Sequence, residues 1–335
     1  MVIDTKFFMQ LALQEAWKYQ VLTYPNPAVG CCVVSKDGAI LSVEAHKKAG
    51  EAHAEVLALQ SAYIKLTNDT NISTCKTSQQ IHNYLLKHHN SIFKDVKLFT
   101  TLEPCSHVGK TPSCANLIKS LGIKNVFVGS NDTNKLASCG NEILLKSGAD
   151  VKTSILQKEC DELLYPFKKF LDGRFVFFKW AQRLDGSVDG GTISSKNSRL
   201  HVHKLRDRCD LLIIGGNTVR TDRPTLDARL VDGKAPDVLI LSKQKEFDKT
   251  IPLFGVDGRK VFIDDSFEIL KNYKNIMIEG GAKMFELSKE FVDFSLCYVA
   301  PSFGGSYTFG SLDEKFDVLN VSKEDEDIIM WLKRK

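Results

Sequence analysis

The chain has 335 residues, which at the usual domain size of about 150 residues predicts two domains. An apolar content of 43% fills two hydrophobic cores and excludes a disordered chain. The net charge of +4 lacks the strongly basic balance of nucleic-acid-binding proteins, and no apolar run reaches the roughly 18 residues of a membrane span. The nine cysteines are odd in number and irregularly spaced, which is typical of reduced thiols in a cytoplasmic protein.

Helices and strands alternate along the first half of the chain. The apolar spacing predicts a helix over 4–18, with too many charges for a signal peptide. A β-hairpin follows, with strands at 29–34 and 39–46. The remaining predicted elements are a helix at 53–66, a strand at 97–102, a helix at 114–122 and strands at 124–130 and 151–156. This alternation predicts a three-layer α/β domain.

Residues 67–94 interrupt the alternation, and we interpret them as a surface insertion. We expect its histidines, His82, His88 and His89, to be solvated helix residues rather than metal ligands. A connector broken at Pro166 follows the last strand.

A second α/β alternation occupies the rest of the chain. Its predicted strands lie at 174–182, 209–216, 237–242, 260–263 and 275–281, and its helices at 201–208 and 282–292. The predicted domains are therefore 1–155 and 172–335, joined by a connector at 156–171.

A histidine, a glutamate and two cysteines have the spacing of a catalytic zinc site. One imidazole and two thiolates, from His53, Cys105 and Cys114, give a zinc ion three protein ligands and leave the fourth tetrahedral position for water. Glu55 lies two residues beyond the histidine, where a carboxylate can take a proton from that water and deliver it to a leaving amine. This is the H-x-E…P-C signature of zinc deaminases, with Glu55 as the catalytic residue.

The pattern leaves alternatives open. The signature usually closes as P-C-x-x-C, whereas eight residues separate Cys105 from Cys114. Two cysteines and a histidine can also be ordinary core residues. A structural zinc would need a fourth protein ligand, for which Cys31 and Cys32 are near in the chain, but their strand pattern favours the core.

Three segments resemble the bifunctional deaminase/reductases of riboflavin biosynthesis: Pro25–Cys31 (PNPAVGC), Gly50–Val56 (GEAHAEV) and Thr101–Cys114 (TLEPCSHVGKTPSC). The resemblance implies a cytidine-deaminase-like three-layer α/β/α domain. It assigns Asn26 to the substrate pyrimidine. It assigns the ribose phosphate to four residues with charge and donors suited to it: His46, His107, Lys110 and Thr111. Ser113 stands where the family usually has proline, which leaves the metal ligands intact.

The second half resembles the reductase part of the same family, which has a dihydrofolate-reductase-like α/β fold and uses NADPH. The matching segments are Lys179–Gly186 (KWAQRLDG), Thr192–Ser195, Gly215–Arg229 (GGNTVRTDRPTLDAR) and Glu279–Gly281, together with His203 and Arg206. The resemblance assigns to the cofactor Lys179, Ala181, Thr192, Thr218, Asp222, Ser242 and the segment from Gly281 to Leu287. It assigns to the substrate Ser194, Arg206, Leu226, Arg229 and Glu279.

The reductase half also departs from the family. Thr192 and Ser194 stand in a segment where the family has Trp-Ile-Thr, so an aromatic face near the cofactor is missing. Arg183 replaces a serine, and the stretch from Asp185 to Ile193 is shortened, with Gly190 where a polar contact is expected. These changes keep open a deaminase with a degenerate reductase half.

The sequence therefore predicts a cytoplasmic bifunctional enzyme. We expect one zinc per chain to deaminate 2,5-diamino-6-(5-phosphoribosylamino)pyrimidin-4-one and NADPH to reduce the resulting ribosylaminouracil. The family resemblance further implies a homo-oligomer formed through the reductase domain. Two other hypotheses are a zinc deaminase of another nucleobase and a binding protein with structural zinc, in which Glu55 has no role.

Overall fold

A computed structural model describes residues 4–107, 109, 111–132, 139–310 and 312–335. The chain forms two compact units, Met1–Phe167 and Lys168–Lys335, and the division between them falls inside the expected connector. Among the described residues, no helix has the length and the apolar character needed to cross a membrane.

The first unit is built on a five-stranded sheet in the order β2-β1-β3-β4-β5. β1 pairs antiparallel with β2 and β3, whereas β3, β4 and β5 are parallel. The strands are β1 Gly30–Val34, β2 Ile40–Ala45, β3 Lys97–Leu102, β4 Asn125–Ser130 and β5 Asp150–Lys152. The helices are α1 Thr5–Trp17, α2 Ala54–Thr67, α3 Ser78–His88, α4 Cys114–Ser120, α5 Gly140–Lys146 and α6 Gln157–Asp172.

Both faces of this sheet are covered, which confirms the predicted three-layer α/β/α arrangement. On one face, Phe8 of α1 contacts Phe99, which stacks on Phe127 at 4.4 Å. On the other face, α2 and α4 bury their apolar residues in one core with β1, β3 and β4. Gly30 is needed in β1 because a Cβ there would collide with the Ala12 carbonyl of α1.

Residues 67–94 lie mostly at the surface, but one side of the segment also contributes to the core. A 3₁₀ turn at Asn71–Thr74 and α3 belong to this insertion, and their apolar side chains, with Phe93, join the core beside α2. His82, expected to be solvated, has only 4% of its surface exposed. The physical reason is that α3 is amphipathic and buries one face, which carries His82 inward with Ile81 and Leu85.

Two further predictions are corrected in this region. Pro166 does not break the connector, because α6 continues through it and buries Leu163, Leu164 and Phe170. The strand predicted at 151–156 ends at Lys152, since Ser154 and Leu156 have positive φ angles of 63° and 51°, outside the extended region.

The second unit contains an eight-stranded sheet in the order β12-β13-β11-β6-β10-β7-β8-β9. The strands are β6 Phe175–Arg183, β7 Leu211–Gly215, β8 Asp237–Leu241, β9 Val261–Asp264, β10 Asn275–Glu279, β11 Phe294–Ala300, β12 Phe316–Glu324 and β13 Asp327–Arg334. Its other helices are α7 Lys196–Arg208, α8 Gly216–Asp222 and α9 Ala282–Ser288. All the strand elements predicted for this half are present.

Among the residues that the structure describes in this unit, one α-helix and three β-strands were missed from the sequence: α8, β11, β12 and β13. β11 is buried at every position and reads as a continuous apolar run, FSLCYVA, which is the signal of a central parallel strand. The β12–β13 hairpin then adds two antiparallel strands to the sheet edge.

Candidate active sites

Three predicted zinc ligands meet at two helix N-termini in the first unit. His53 is the N-cap of α2, Cys114 begins α4, and Cys105 follows β3. The His53 Nδ1 atom lies 3.6 Å from the Sγ of Cys105 and 3.4 Å from the Sγ of Cys114, and all three atoms lie within 4.8 Å of one another. One nitrogen and two sulfurs at these separations suit a tetrahedral zinc ion with one open position.

The surroundings of this cluster favour ligand chemistry. The pKa of Cys105 is lowered to about 4, chiefly by a hydrogen bond from the Cys114 side chain and also by His53. On the other side of the imidazole, His53 Nε2 lies 3.2 Å from the Thr111 hydroxyl oxygen. With Nδ1 directed at the thiols, Nε2 carries the ring proton and donates a hydrogen bond to the Thr111 hydroxyl oxygen. Such a contact orients metal-binding histidines.

Glu55 lies in the first turn of α2 and is 3% exposed. Burial raises its pKa to about 7, so the carboxyl group exchanges protons near neutral pH. A cavity of about 350 Å³ is lined by Glu55, His53 and Cys105. The structure therefore places a proton-exchanging group beside the three ligand atoms and open to the same cavity.

The other predicted deaminase residues reach this cavity with one exception. Asn26, His46, His107 and Thr111 line it, whereas Lys110 lies outside the described residues. His46 is 3% exposed, and burial lowers its pKa to about 4. Its Nδ1 atom lies 3.1 Å from the Ala52 carbonyl oxygen, and its Nε2 atom lies 3.2 Å from Asn26 Nδ2. Both ring nitrogens of this histidine thus have protein partners.

In the second unit, three predicted residues from different elements form one charged cluster. Arg206 of α7 donates to Glu279 at the end of β10, through Nε at 3.0 Å and Nη2 at 2.9 Å. The Lys179 ammonium of β6 lies 3.7 Å from the second oxygen of Glu279. Their side chains are only 12–14% exposed. Burial raises the pKa of Glu279, but the two cations outweigh burial and hold it below its usual value.

The remaining residues predicted for the reductase site are spread over several strand ends, helix ends and loops of the second unit. Ser242 follows β8 and approaches Gly216, where a built Cβ would lie 2.7 Å from the serine hydroxyl oxygen. Gly281 is the N-cap of α9, and Asp222 is the exposed last residue of α8. Among the others, Leu226 is buried, Ala181, Ser194 and Thr218 are half-buried, and Thr192 and Arg229 are exposed.

Two residues near the cluster were missed from the sequence. Asp227 receives a hydrogen bond from Arg229 at 2.6 Å through its carboxylate and one from Arg206 at 3.4 Å through its carbonyl. Its position between Leu226 and Arg229, inside a matched motif, was the available signal. Tyr298 of β11 lies under Lys179, with the ammonium 5.7 Å from the ring centre, and only the fold reveals this contact.

Arg183, one of the departures from the family pattern, has a structural use. The residue is 8% exposed. It donates to the carbonyl oxygens of Asp189 at 2.5 Å, Gly190 at 3.2 Å and Gly304 at 3.3 Å. The side chain therefore joins the shortened loop after β6 to the loop after β11.

Comparisons with known proteins match both units. Residues 3–130 match the cytidine and deoxycytidylate deaminase zinc-binding region, and residues 174–328 match the RibD C-terminal domain. The riboflavin biosynthesis protein RibD of Aquifex aeolicus is 31% identical over 98% of both chains. The RibD protein of Bacillus amyloliquefaciens is 34% identical over 85% of this chain and 72% of its own length.

Two solved structures are also similar to the whole chain. A diaminohydroxyphosphoribosylaminopyrimidine deaminase/5-amino-6-(5-phosphoribosylamino)uracil reductase from Thermotoga maritima aligns with a TM-score of 0.65 and 27% identity over 98% of both chains. RibD from Acinetobacter baumannii aligns with a TM-score of 0.62 and 25% identity over the same shares. With both family domains present and a full-length relative above 30% identity, the chain belongs to the RibD family of bifunctional deaminase/reductases of riboflavin biosynthesis.

Proposed function

We propose that the first unit hydrolytically deaminates 2,5-diamino-6-(5-phosphoribosylamino)pyrimidin-4-one. The second unit then reduces 5-amino-6-(5-phosphoribosylamino)uracil with NADPH, which converts the ribosyl group to ribityl. The convergence of His53, Cys105 and Cys114 beside Glu55 in one cavity carries this proposal. The same two activities appear in the name of the Thermotoga maritima structure, which supports the choice of substrates.

At the deaminase site, each residue has a task that its position suits. A zinc ion held by His53, Cys105 and Cys114 supplies the Lewis acidity that makes water a nucleophile at neutral pH. Glu55 accepts a proton from the attacking water and delivers it to the departing amine, a transfer for which a pKa near 7 is well matched. Thr111 holds the His53 ring in place by accepting from Nε2.

The rest of the cavity holds the substrate. Asn26 contacts the pyrimidine, and His107 at the exposed side of the cavity binds the ribose phosphate. Lys110 is proposed to bind the same phosphate, because the family resemblance assigns it there. The eight-residue spacing between Cys105 and Cys114 provides this phosphate-binding loop, which a free nucleobase does not need.

At the reductase site, NADPH supplies the hydride, while the chain binds and orients both reactants. Gly216 packs directly against Ser242, where a side chain on the glycine would collide with the serine, so the turn that begins α8 stays close to the end of β8 on the proposed cofactor side. The cofactor side of the site is also assigned Thr218, Asp222 and the turn at Gly281. The family resemblance also assigns to the cofactor Lys179 and Ala181 of β6 and Thr192 of the following loop.

The substrate of the reductase is assigned to the region of the charged cluster. The residues proposed to contact it are Arg206, Arg229, Glu279, Ser194 and Leu226. Arg229 is mostly exposed and pairs with Asp227 at one nitrogen, so the rest of its guanidinium faces solvent, where a phosphate can bind it. Arg206 is already held by Glu279 in a buried pair, and together with Lys179 the three side chains carry one net positive charge. This favours an anionic substrate.

The homo-oligomer through the second unit also stays a proposal. β12 is an edge strand of nine residues, and it exposes Val318 at 60% and Val321 at 56%. An unpaired edge with apolar side chains is a common pairing surface. Light scattering on the wild type and on a Val318→Lys, Val321→Lys variant tests it, and an unchanged mass in the variant contradicts it. The cytoplasmic location expected from the sequence stays a prediction.

One incubation tests both activities. Purified zinc-loaded protein is given the diaminopyrimidine ribotide with and without NADPH, and product masses are read. We expect exchange of an amine for oxygen in both samples and addition of two hydrogens only with NADPH. The Glu55→Gln variant is the matched control, expected to retain zinc while deaminating on the order of 10² to 10⁴ times more slowly. Deamination without reduction indicates a degenerate second unit, and an unchanged ribotide in both samples contradicts the substrate assignment.

A further inference from the structure

A half-buried arginine of the second unit, which has no role in the proposed reaction, binds the backbone of a segment that carries two proposed substrate residues. Arg259 lies shortly before β9. Its guanidinium donates to the carbonyl oxygen of Leu226 through Nη1 and to those of Thr225 and Leu253 through Nη2, each at 2.6 Å. Burial lowers the pKa of Arg259 to about 10, so the side chain stays charged at neutral pH. One cation therefore joins two separate stretches of the chain.

The segment that it binds, residues 224–229, has a backbone conformation that depends on its surroundings. Leu226 has a positive φ angle of 56°, a left-handed conformation that a bulky apolar residue rarely adopts. Such a conformation persists only where neighbouring contacts impose it. Arg259 binds the Leu226 carbonyl itself, and the Pro224 carbonyl accepts a hydrogen bond from the Leu253 amide at 3.0 Å. These contacts hold the left-handed turn at both of its ends.

The charged cluster contacts segment 224–229 less closely. Arg206 donates to the Asp227 carbonyl oxygen at 3.4 Å, a long hydrogen bond. The three contacts of Arg259 are short, as is typical of hydrogen bonds from a charged donor. Arg229, at the end of the segment, donates to the Asp227 carboxylate at 2.6 Å, so its direction follows the path of this backbone. The closest support of the segment is thus a residue 33 positions beyond Leu226.

We propose that Arg259 is a positioning residue of the reductase, which binds the carbonyl oxygens of Thr225 and Leu226 and thereby fixes the turn that presents Leu226 and Arg229 to the substrate. This inference rests on the proposed reductase function. Arg259 acts through backbone atoms, so it needs no contact with the substrate or with NADPH. It determines where the phosphate-binding guanidinium of Arg229 lies, and therefore how tightly the substrate binds.

Hydrogen exchange tests whether Arg259 orders the segment, without any substrate. Arg259→Met keeps an unbranched stem but removes every N–H donor of the side chain. Well below the melting temperature of each variant, we expect faster exchange in peptides covering 224–231 and 252–255. Arg334→Met is the matched control, because Arg334 pairs with Glu290 toward the opposite edge of the same sheet. It should leave both peptides unchanged, and unchanged exchange in Arg259→Met overturns the proposal.

Steady-state kinetics test whether the ordered segment positions the substrate. Arg259→Met should raise the KM for 5-amino-6-(5-phosphoribosylamino)uracil about 10- to 100-fold, the factor for one displaced charge-assisted contact. The kcat and the KM for NADPH should stay within about twofold of the wild type. A merely structural role lowers the fraction of active protein, so a lower kcat with an unchanged KM overturns the proposal. Arg259→Lys places all its donors on one nitrogen and cannot reach three oxygens, so an intermediate KM is expected, and this variant carries the test if Arg259→Met does not fold.

A double-mutant cycle tests whether the effect passes through Arg229. In the Arg229→Ala background, Arg259→Met should raise the same KM less than about threefold, because the guanidinium that it positions is gone. An equal rise in both backgrounds overturns the proposal. A wild type that does not reduce the ribotide contradicts the proposed function, whereas the exchange measurement bears on Arg259 alone.

Discussion

Replacing Glu279 should destabilise the second unit strongly, in addition to any effect on reduction. Glu279 is 9% exposed and is the shared partner of two cations, Arg206 and Lys179, whose side chains are 12% and 14% exposed. The Glu279→Gln variant keeps the shape of the side chain but leaves Arg206 and Lys179 buried without a counter-charge. Removing one partner from a buried ion pair costs roughly 3–5 kcal/mol, because the remaining charge is desolvated and uncompensated.

For a unit of 150–250 residues, each kcal/mol lowers the melting temperature by roughly 2–4 °C, so the expected decrease is about 6–20 °C. Tryptophan fluorescence measures it in a Trp17→Phe background, where Trp180 and Trp331 report only on the second unit. The matched control is Glu290→Ala, which removes an exposed pair with Arg334 and should cost less than about 1 kcal/mol. A Glu279→Gln melting temperature within about 1 °C of the wild type would refute the reasoning.

The stabilisation that Glu279 gives through its contacts with Arg206 and Lys179 depends on pH in one direction. The pKa of Glu279 is lowered in the folded protein, so its contribution is present above the unfolded carboxyl pKa of about 4.3. It is lost as the pH falls through the lowered folded value. The wild type should therefore lose more stability than Glu279→Gln on acidification below about pH 4.3.

Further predictions concern the zinc site and the Arg183 contacts. Cys105→Ser should lose zinc and deamination, and stoichiometric zinc by mass spectrometry would contradict the ligand assignment. Thr111→Val removes the acceptor of His53 Nε2, so chelator competition should show zinc affinity roughly 10- to 100-fold weaker, with Thr111→Ser near wild type. Arg183→Lys cannot reach three carbonyl oxygens together, so hydrogen exchange should accelerate in the loops after β6 and β11, and unchanged exchange would refute this contact.

Local sequence patterns predicted most of the helices and strands and the candidate residues of the zinc site. The helical spacing of residues 4–18 and the apolar runs of the strands depend on side chains a few positions apart, so they are visible in one dimension. His53, Glu55, Cys105 and Cys114 were identifiable because ligand chemistry restricts residue types and spacing. The longer motifs around these residues indicated the pathway, because they carry the resemblance to the riboflavin enzymes.

Only the tertiary structure decided how distant residues meet. The insertion helix α3 covers the core and buries His82, since an apolar helix face is buried wherever a complementary surface exists. Likewise, Pro166 remains within α6 because packing outweighs the loss of one backbone donor.

The same limit applies to the sites. Arg206 and Glu279 are 73 residues apart, and their bidentate pair is set by where α7 and β10 lie in the fold. The ring nitrogens of His46 likewise lie beside Asn26 and beside the carbonyl oxygen of Ala52, an atom type that every residue has. Sequence identifies which side chains carry the chemistry, but hydrogen-bond direction and charge compensation depend on distances that only the folded chain defines.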